Sequence, residues 1–248
     1  MLRGKLHILI IVFAVALSGA AQAAPVVFDK PLRTQSGEQT PKPDRRPLLL
    51  TCLYYPHFTL IRRRYDNREV GDYSVGPAGA PTSGCVEPGR GSFVSLMFGR
   101  LTGVKGNYVF LEDRFSAEYP ESFGVFDGRT GLALIQDKMF GAWSAIRFAA
   151  DGFALRYRRA YSSDCALLYG IATECWTAIK RATGLTDAMA PDCHAAYQQT
   201  KREYAGDMKY VMGTSASITY NVEARYGGGR LTYRAIPGDV TCSTRYRY

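Results

Sequence analysis

The chain has 248 residues, with 31 basic side chains against 22 acidic ones, a formal charge of +9, six cysteines and three histidines. That length supports one large domain or two small ones with a substantial core, so disulfides are not needed merely to make up for small size. So few histidines exclude a multi-histidine metal centre unless carboxylates complete it, and neither metal nor cofactor is expected.

Arg3 and Lys5 precede a largely apolar run from Leu6 to Leu17, followed by the small-residue sequence Ala21-Gln22-Ala23. This pattern reads as a signal peptide over 1–23, cut after Ala23. The run is shorter than the roughly 20 apolar residues of a spanning helix, and it ends in Ser18-Gly19 rather than in basic residues. No cysteine lies near the cut, which disfavours a lipid anchor, and no later segment is apolar for long enough to span a bilayer. A periplasmic or secreted product is expected. Loss of Arg3 and Lys5 leaves it at +7, a charge that draws a protein towards anionic partners.

Ala24 to Arg46, with Pro25, Pro31, Pro41 and Pro43, reads as a flexible proline-rich leader. A single disulfide-bonded domain is expected over 47–248. Its first strands are Leu48 to Tyr55 and Phe58 to Tyr65, and Gly71 to Gly91 reads as a long irregular loop tethered by Cys85. Short β-type runs follow at Phe93–Phe98, Asn107–Leu111, Ser122–Phe126, Leu132–Gln136, Trp143–Phe148 and Phe153–Tyr161. Their turns at Asp127-Gly128 and Asp151-Gly152 define a meander of hairpins. Ile171, Cys175, Trp176 and Ile179 at helical spacing, stopped by Gly184, predict a helix over Ile171–Thr183. A second helix is expected from about Pro191 to Ala205. Strands return at Ala216–Tyr226, Arg230–Ile236 and Val240 to about Tyr246, around a Gly227-Gly228-Gly229 turn. The fold class is α+β, mostly antiparallel, with an inserted disulfide-linked helical pair.

Six cysteines allow fifteen pairings. The expected set is Cys52 with Cys85, Cys175 with Cys193, and Cys165 with Cys242. Without a Cys-x-x-Cys pair, exported cysteines are read as structural rather than as a redox or metal site.

No motif converts into a reaction, so the catalytic residues are unknown. His57, between two strands, and His194, on a helix, have no evident orienting partner, and Gly213 to Ser217 lacks a nucleophile elbow. Glu112, Asp113, Glu118, Glu121 and Asp127 cluster in sequence and would serve glycan cleavage only if two of them meet at the right separation. The strongest pattern is arginine interleaved with tyrosine: Arg62-Arg63-Arg64-Tyr65, Arg156-Tyr157-Arg158-Arg159, Arg225-Tyr226, Tyr233-Arg234 and Arg245 to Tyr248. In a strand Arg156 and Arg158 share one face and Leu155, Tyr157 and Arg159 the other. Guanidinium forks suit phosphate and carboxylate, and tyrosines stack on rings. Arg62, Arg64, Arg156, Tyr157 and Arg158 are therefore the candidate binding residues.

These features favour a non-enzymatic binding module for an anionic envelope polymer, with nucleic acid disfavoured. The alternatives are a cofactor-independent glycan hydrolase using acidic residues, and an inhibitor that inserts the Gly71 to Gly91 loop into a secreted enzyme.

Overall fold

A computed structural model of the chain describes residues 26–39, 47–64, 70–79, 84–85, 94–113, 120–163, 165, 167, 172–203 and 216–244. The expected signal peptide, Glu118 and the Arg245 to Tyr248 ending lie outside these residues. The strands are β1 (Arg33–Gln39), β2 (Leu48–Tyr54), β3 (Phe58–Arg64), β4 (Gly71–Pro77), β5 (Val94–Lys105), β6 (Tyr108–Asp113), β7 (Glu121–Asp127), β8 (Ala133–Ala149) and β9 (Gly152–Ser162). Two helices, α1 (Ala172–Thr183) and α2 (His194–Glu203), precede β10 (Ala216–Gly227), β11 (Arg230–Ala235) and β12 (Thr241–Thr244). β1 to β11 pair in chain order, and β12 takes the remaining length of β10 beside β11. Every pairing is antiparallel, as the run of hairpins predicts.

Two hairpins show why the chain turns where it does. Gly227 pairs with Arg230, so Gly228 and Gly229, with φ of 54° and 74°, form a two-residue turn whose positive φ values match the twist of the flanking strands. Gly106, with φ of 56°, does the same between Lys105 and Tyr108.

Three expectations are corrected. The leader is not irregular throughout: Arg33 to Gln39 pairs with the full length of β2. A polar edge strand draws on backbone hydrogen bonds and needs no apolar alternation, so composition hid it. Its lead-in places Phe28 over Gly103, 5.6 Å from Phe110 and 6.3 Å from Phe148, and the Asp29 amide donates to the Val104 carbonyl at 2.8 Å. Secondly, Gly71 to Pro77 is a strand whose Tyr73 and Val75 enter the core. Thirdly, the runs at 132–136 and 143–148 belong to one strand, β8. A bulge at Gly141, φ 75°, shifts its register between Phe140 and Ala145 and reverses the apolar alternation.

The two faces of the sheet are buried differently. Phe110, Phe123, Met139, Leu155, Tyr157, Ile218, Tyr220 and Val222 form the largest core, which α1 joins through Cys175, Trp176 and Ile179. Val109, Leu111 and Phe126, on the opposite face of β6 and β7, pack with Phe58, Leu60, Tyr73 and Val75. α1 ends at Gly184, φ 75°, whose amide donates to the Lys180 carbonyl at 2.9 Å. α2 starts later than Pro191 because the Asp192 carboxylate accepts from the His194 amide at 2.8 Å and caps the helix there.

Cys52 pairs with Cys85 as expected, but the other two bridges are Cys165–Cys175 and Cys193–Cys242. Cys175 lies on the buried face of α1, against the segment that leads into that helix. Cys193 lies just before α2 and meets Cys242 of β12, with Cα atoms 5.2 Å apart. The helices are thus tied separately to their surroundings and not to each other. Three disulfides fit an oxidising compartment. Among the described residues no helix is long and apolar enough to cross a membrane.

Candidate functional site

The polar side of β8 to β11 is built by strict alternation. On β10, Ile218, Tyr220, Val222 and Ala224 face the core, so Thr219, Asn221, Glu223 and Arg225 face the other way. On β9, Leu155 and Tyr157 face the core, and Arg156 and Arg158 project with the β10 polar set.

Register gathers further arginines on the same face. Glu223 lies opposite Arg156 on one side and Arg234 on the other. Arg225, two residues along β10, stands in a row with Ala154 and Thr232, and Arg147 of β8 lies opposite Ala154. Cross-strand partners share a face, so five arginines surround one carboxylate on an area about 15 Å across.

Glu223 organises this group. Its side chain is 1 % exposed. Oε2 accepts from Arg156 Nε at 2.6 Å, Oε1 accepts from Arg225 Nε, and Arg234 Nη2 lies 3.4 Å from Oε1. Burial works against ionisation here, but the hydrogen bonds from Arg156 and Arg225 outweigh it and hold the carboxyl below its ordinary range. The three arginine side chains remain 36 %, 61 % and 67 % exposed, so each keeps part of its surface open to solvent. Arg158 is fixed separately: Nε donates to Thr219 Oγ1 at 3.0 Å and Nη2 to Thr241 Oγ1 at 2.7 Å, strapping β9 to β10 and β12.

The other candidates are placed differently. Tyr157 is buried, and its hydroxyl donates to Asp137 Oδ2 at 2.5 Å; burial, reinforced by Asp137, raises its phenol far above the ordinary value. It therefore offers no stacking surface. Arg159 faces the same way, pairing with Asp137 at 2.8 Å under the Tyr233 ring. Arg62 and Arg64 lie on β3, away from Arg156 and Arg158 in the sheet order. Arg62 lines an open pocket of about 450 Å³ with Tyr73, Arg100 and Thr102. Among the described residues, three of the arginine and tyrosine clusters thus meet at Glu223, and the Arg62 to Arg64 cluster lies apart from them.

In the acidic cluster, Glu112 and Asp127 stand apart, while Glu121, two residues from Phe123, shares a face with Glu112. Glu112 is buried and accepts from Arg100 Nη2 at 3.4 Å. Asp127 stands opposite Tyr108 at the far end of the same hairpin, so four residues of strand, about 13 Å, separate it from Glu112, beyond the range of paired glycosidase carboxylates. Asp127 also serves its own turn, accepting from the Arg129 amide at 2.8 Å and pairing with its guanidinium at 2.9 Å. Burial raises the Asp113 carboxyl, which stands opposite Ser122, at the other end of the hairpin from Asp127. Among the described residues no group of three or more His, Cys, Asp or Glu side chains is placed to hold a metal ion.

Sequence reasoning did not single out Glu223 or Arg147. The signal for Glu223 was its position on the polar parity of an otherwise apolar strand; Arg147 could be placed only through the β8 bulge. Comparison with protein families, with characterised proteins and with solved structures gives no match, so these residues must be read on their own geometry.

Proposed function

We propose that the protein binds an anionic component of the cell envelope through the arginine face of β8 to β11, in the periplasm or outside the cell, and acts by binding rather than turnover. The observation that carries this reading is the sharing of one buried carboxylate by Arg156, Arg225 and Arg234. One negative charge fixes three positive ones, so the surplus is both net positive and held in place. Guanidinium forks are matched to phosphate and carboxylate oxygens. Side chains already fixed lose less conformational entropy when a ligand arrives.

The test is retention of the oxidised protein on purified anionic envelope polymers at low and high salt, with release of soluble fragments followed in the same tubes. Retention that weakens with salt, disappears in Arg147→Gln/Arg158→Gln and yields no fragments is the expected result. Fragment release, or retention unchanged in that variant, overturns the reading.

A further inference from the structure

We infer that the ligand of this face is an anionic saccharide, whose charged group meets the arginines and whose sugar ring enters a trough beside them; this rests on the reading above. The trough holds about 630 Å³, within the range of ligand sites, and is lined by Met97, Ser122, Gln136, Lys138 and Ser162 among others. Register places most of its lining on the arginine side of the sheet, while Phe123, Asp137, Arg159 and Tyr161 line it from the opposite parity, where β8 and β9 no longer pair. Ser122 lies opposite Lys138 and Gly124 opposite Gln136. The Met97 sulfur lies 3.3 Å from where a Cβ on Gly124 would stand, so Met97 covers that same face. Ala160, which also lines the trough, follows Arg158 by two residues and therefore shares its face. The trough begins one residue pair beyond Arg158.

The chemistry changes along this path. Around Glu223 the face is mostly guanidinium, with Asn221 and Thr232 beside it, whereas the trough sets a neutral amide, two hydroxyls, a thioether and an ammonium around the Asp137–Arg159 ion pair. Gln136 and the serines both donate and accept, as sugar hydroxyls do, and a bare polyphosphate chain gives such groups nothing to accept from. Phe140, half-buried and opposite Arg158, sets one ring between the arginines and Lys138, a surface for the apolar side of a sugar. A nucleic acid strand calls for several stacking rings along its path, yet Tyr157 and Tyr220 are turned into the core.

Calorimetric titrations of the oxidised protein with oligogalacturonate, a phosphorylated oligomannose and inorganic polyphosphate separate the possibilities. Gln136 is exposed, so Gln136→Ala leaves the fold intact; Phe140→Leu keeps the apolar volume and removes the ring. Each variant is expected to weaken a saccharide arm about fivefold, the loss of roughly one net hydrogen bond or ring contact, and to leave polyphosphate within about twofold. The saccharide so affected identifies carboxylate or phosphate as the charged group. Equal weakening of polyphosphate, or no weakening of either saccharide, overturns the inference while leaving the arginine face in place. If the unmodified protein binds none of the three, both the inference and the reading of the face fall.

Discussion

Replacing Glu223 by Gln keeps the side chain's size and removes the one charge that three arginines share. The hydrogen bond to Arg156 is charge-assisted and its acceptor is buried, which puts its contribution at about 1.5–3 kcal/mol. Arg225 and Arg234 are mostly solvated, so their pairing adds only about 0–1 kcal/mol. A loss of about 2–3 kcal/mol follows, or about 5–10 °C in Tm for a domain of this size. Its pH dependence is the sharper part. The folded carboxyl titrates below its ordinary value of 4.5, so the stability it contributes is fully present above that value and is lost as pH falls through the lower, folded one. Urea unfolding of both proteins should show a constant gap from pH 8 to about 5 that closes in stronger acid. Carboxylates common to both proteins cancel in the difference. A gap that persists in acid, or a Gln variant as stable as the original at neutral pH, would refute the assignment of Glu223 as the organising anion.

Peptide mapping under non-reducing conditions should recover Cys165 linked to Cys175 and Cys193 linked to Cys242. Recovery of a Cys175–Cys193 peptide would contradict the placement of α1 and α2. The Cys193–Cys242 bridge spans 49 residues and the Cys165–Cys175 bridge 10. Removing each as a pair is therefore expected to cost about 4 and about 3 kcal/mol respectively on the chain-entropy scale, read from urea midpoints. A methyl group on Gly103 would stand 2.2 Å from the Phe28 ring, so Gly103→Ala should expel that ring and cost about 1–3 kcal/mol. In a Phe28→Ala background the same change should cost almost nothing, and an undiminished cost there would mean that Phe28 does not occupy this place.

Much of the architecture could be read from the order of residues, because apolar alternation and turn chemistry agreed along the chain. Asp127-Gly128, Asp151-Gly152 and the triple glycine lie where the strands reverse, and the stop at Gly184 closes α1. What escaped reading was structure stabilised by something other than alternation. β1 is held by its backbone, β4 is glycine-rich, and the β8 bulge reverses the phase of the pattern. Pairing of the last four cysteines depends on which strand each helix end approaches, a tertiary fact. The arginine face was half legible. Parity along β9 put Arg156 and Arg158 together, but the rows that add Arg147, Arg225 and Arg234 exist only once β8 to β11 are in register. Parity also sets Tyr157 on the face opposite Arg156 and Arg158, but that this face is the buried one follows only from the packed structure.

The most direct test of the central claim compares two variants of equal net charge. Arg147→Gln/Arg234→Gln removes two charges from the arginine face, and Lys180→Gln/Arg181→Gln removes two from α1, which packs on the opposite side of the sheet. Elution from an immobilised anionic envelope polymer along a salt gradient should come markedly earlier for the first variant and close to the original protein for the second. Equal shifts in both would mean that overall charge governs binding, and would contradict a site on β8 to β11.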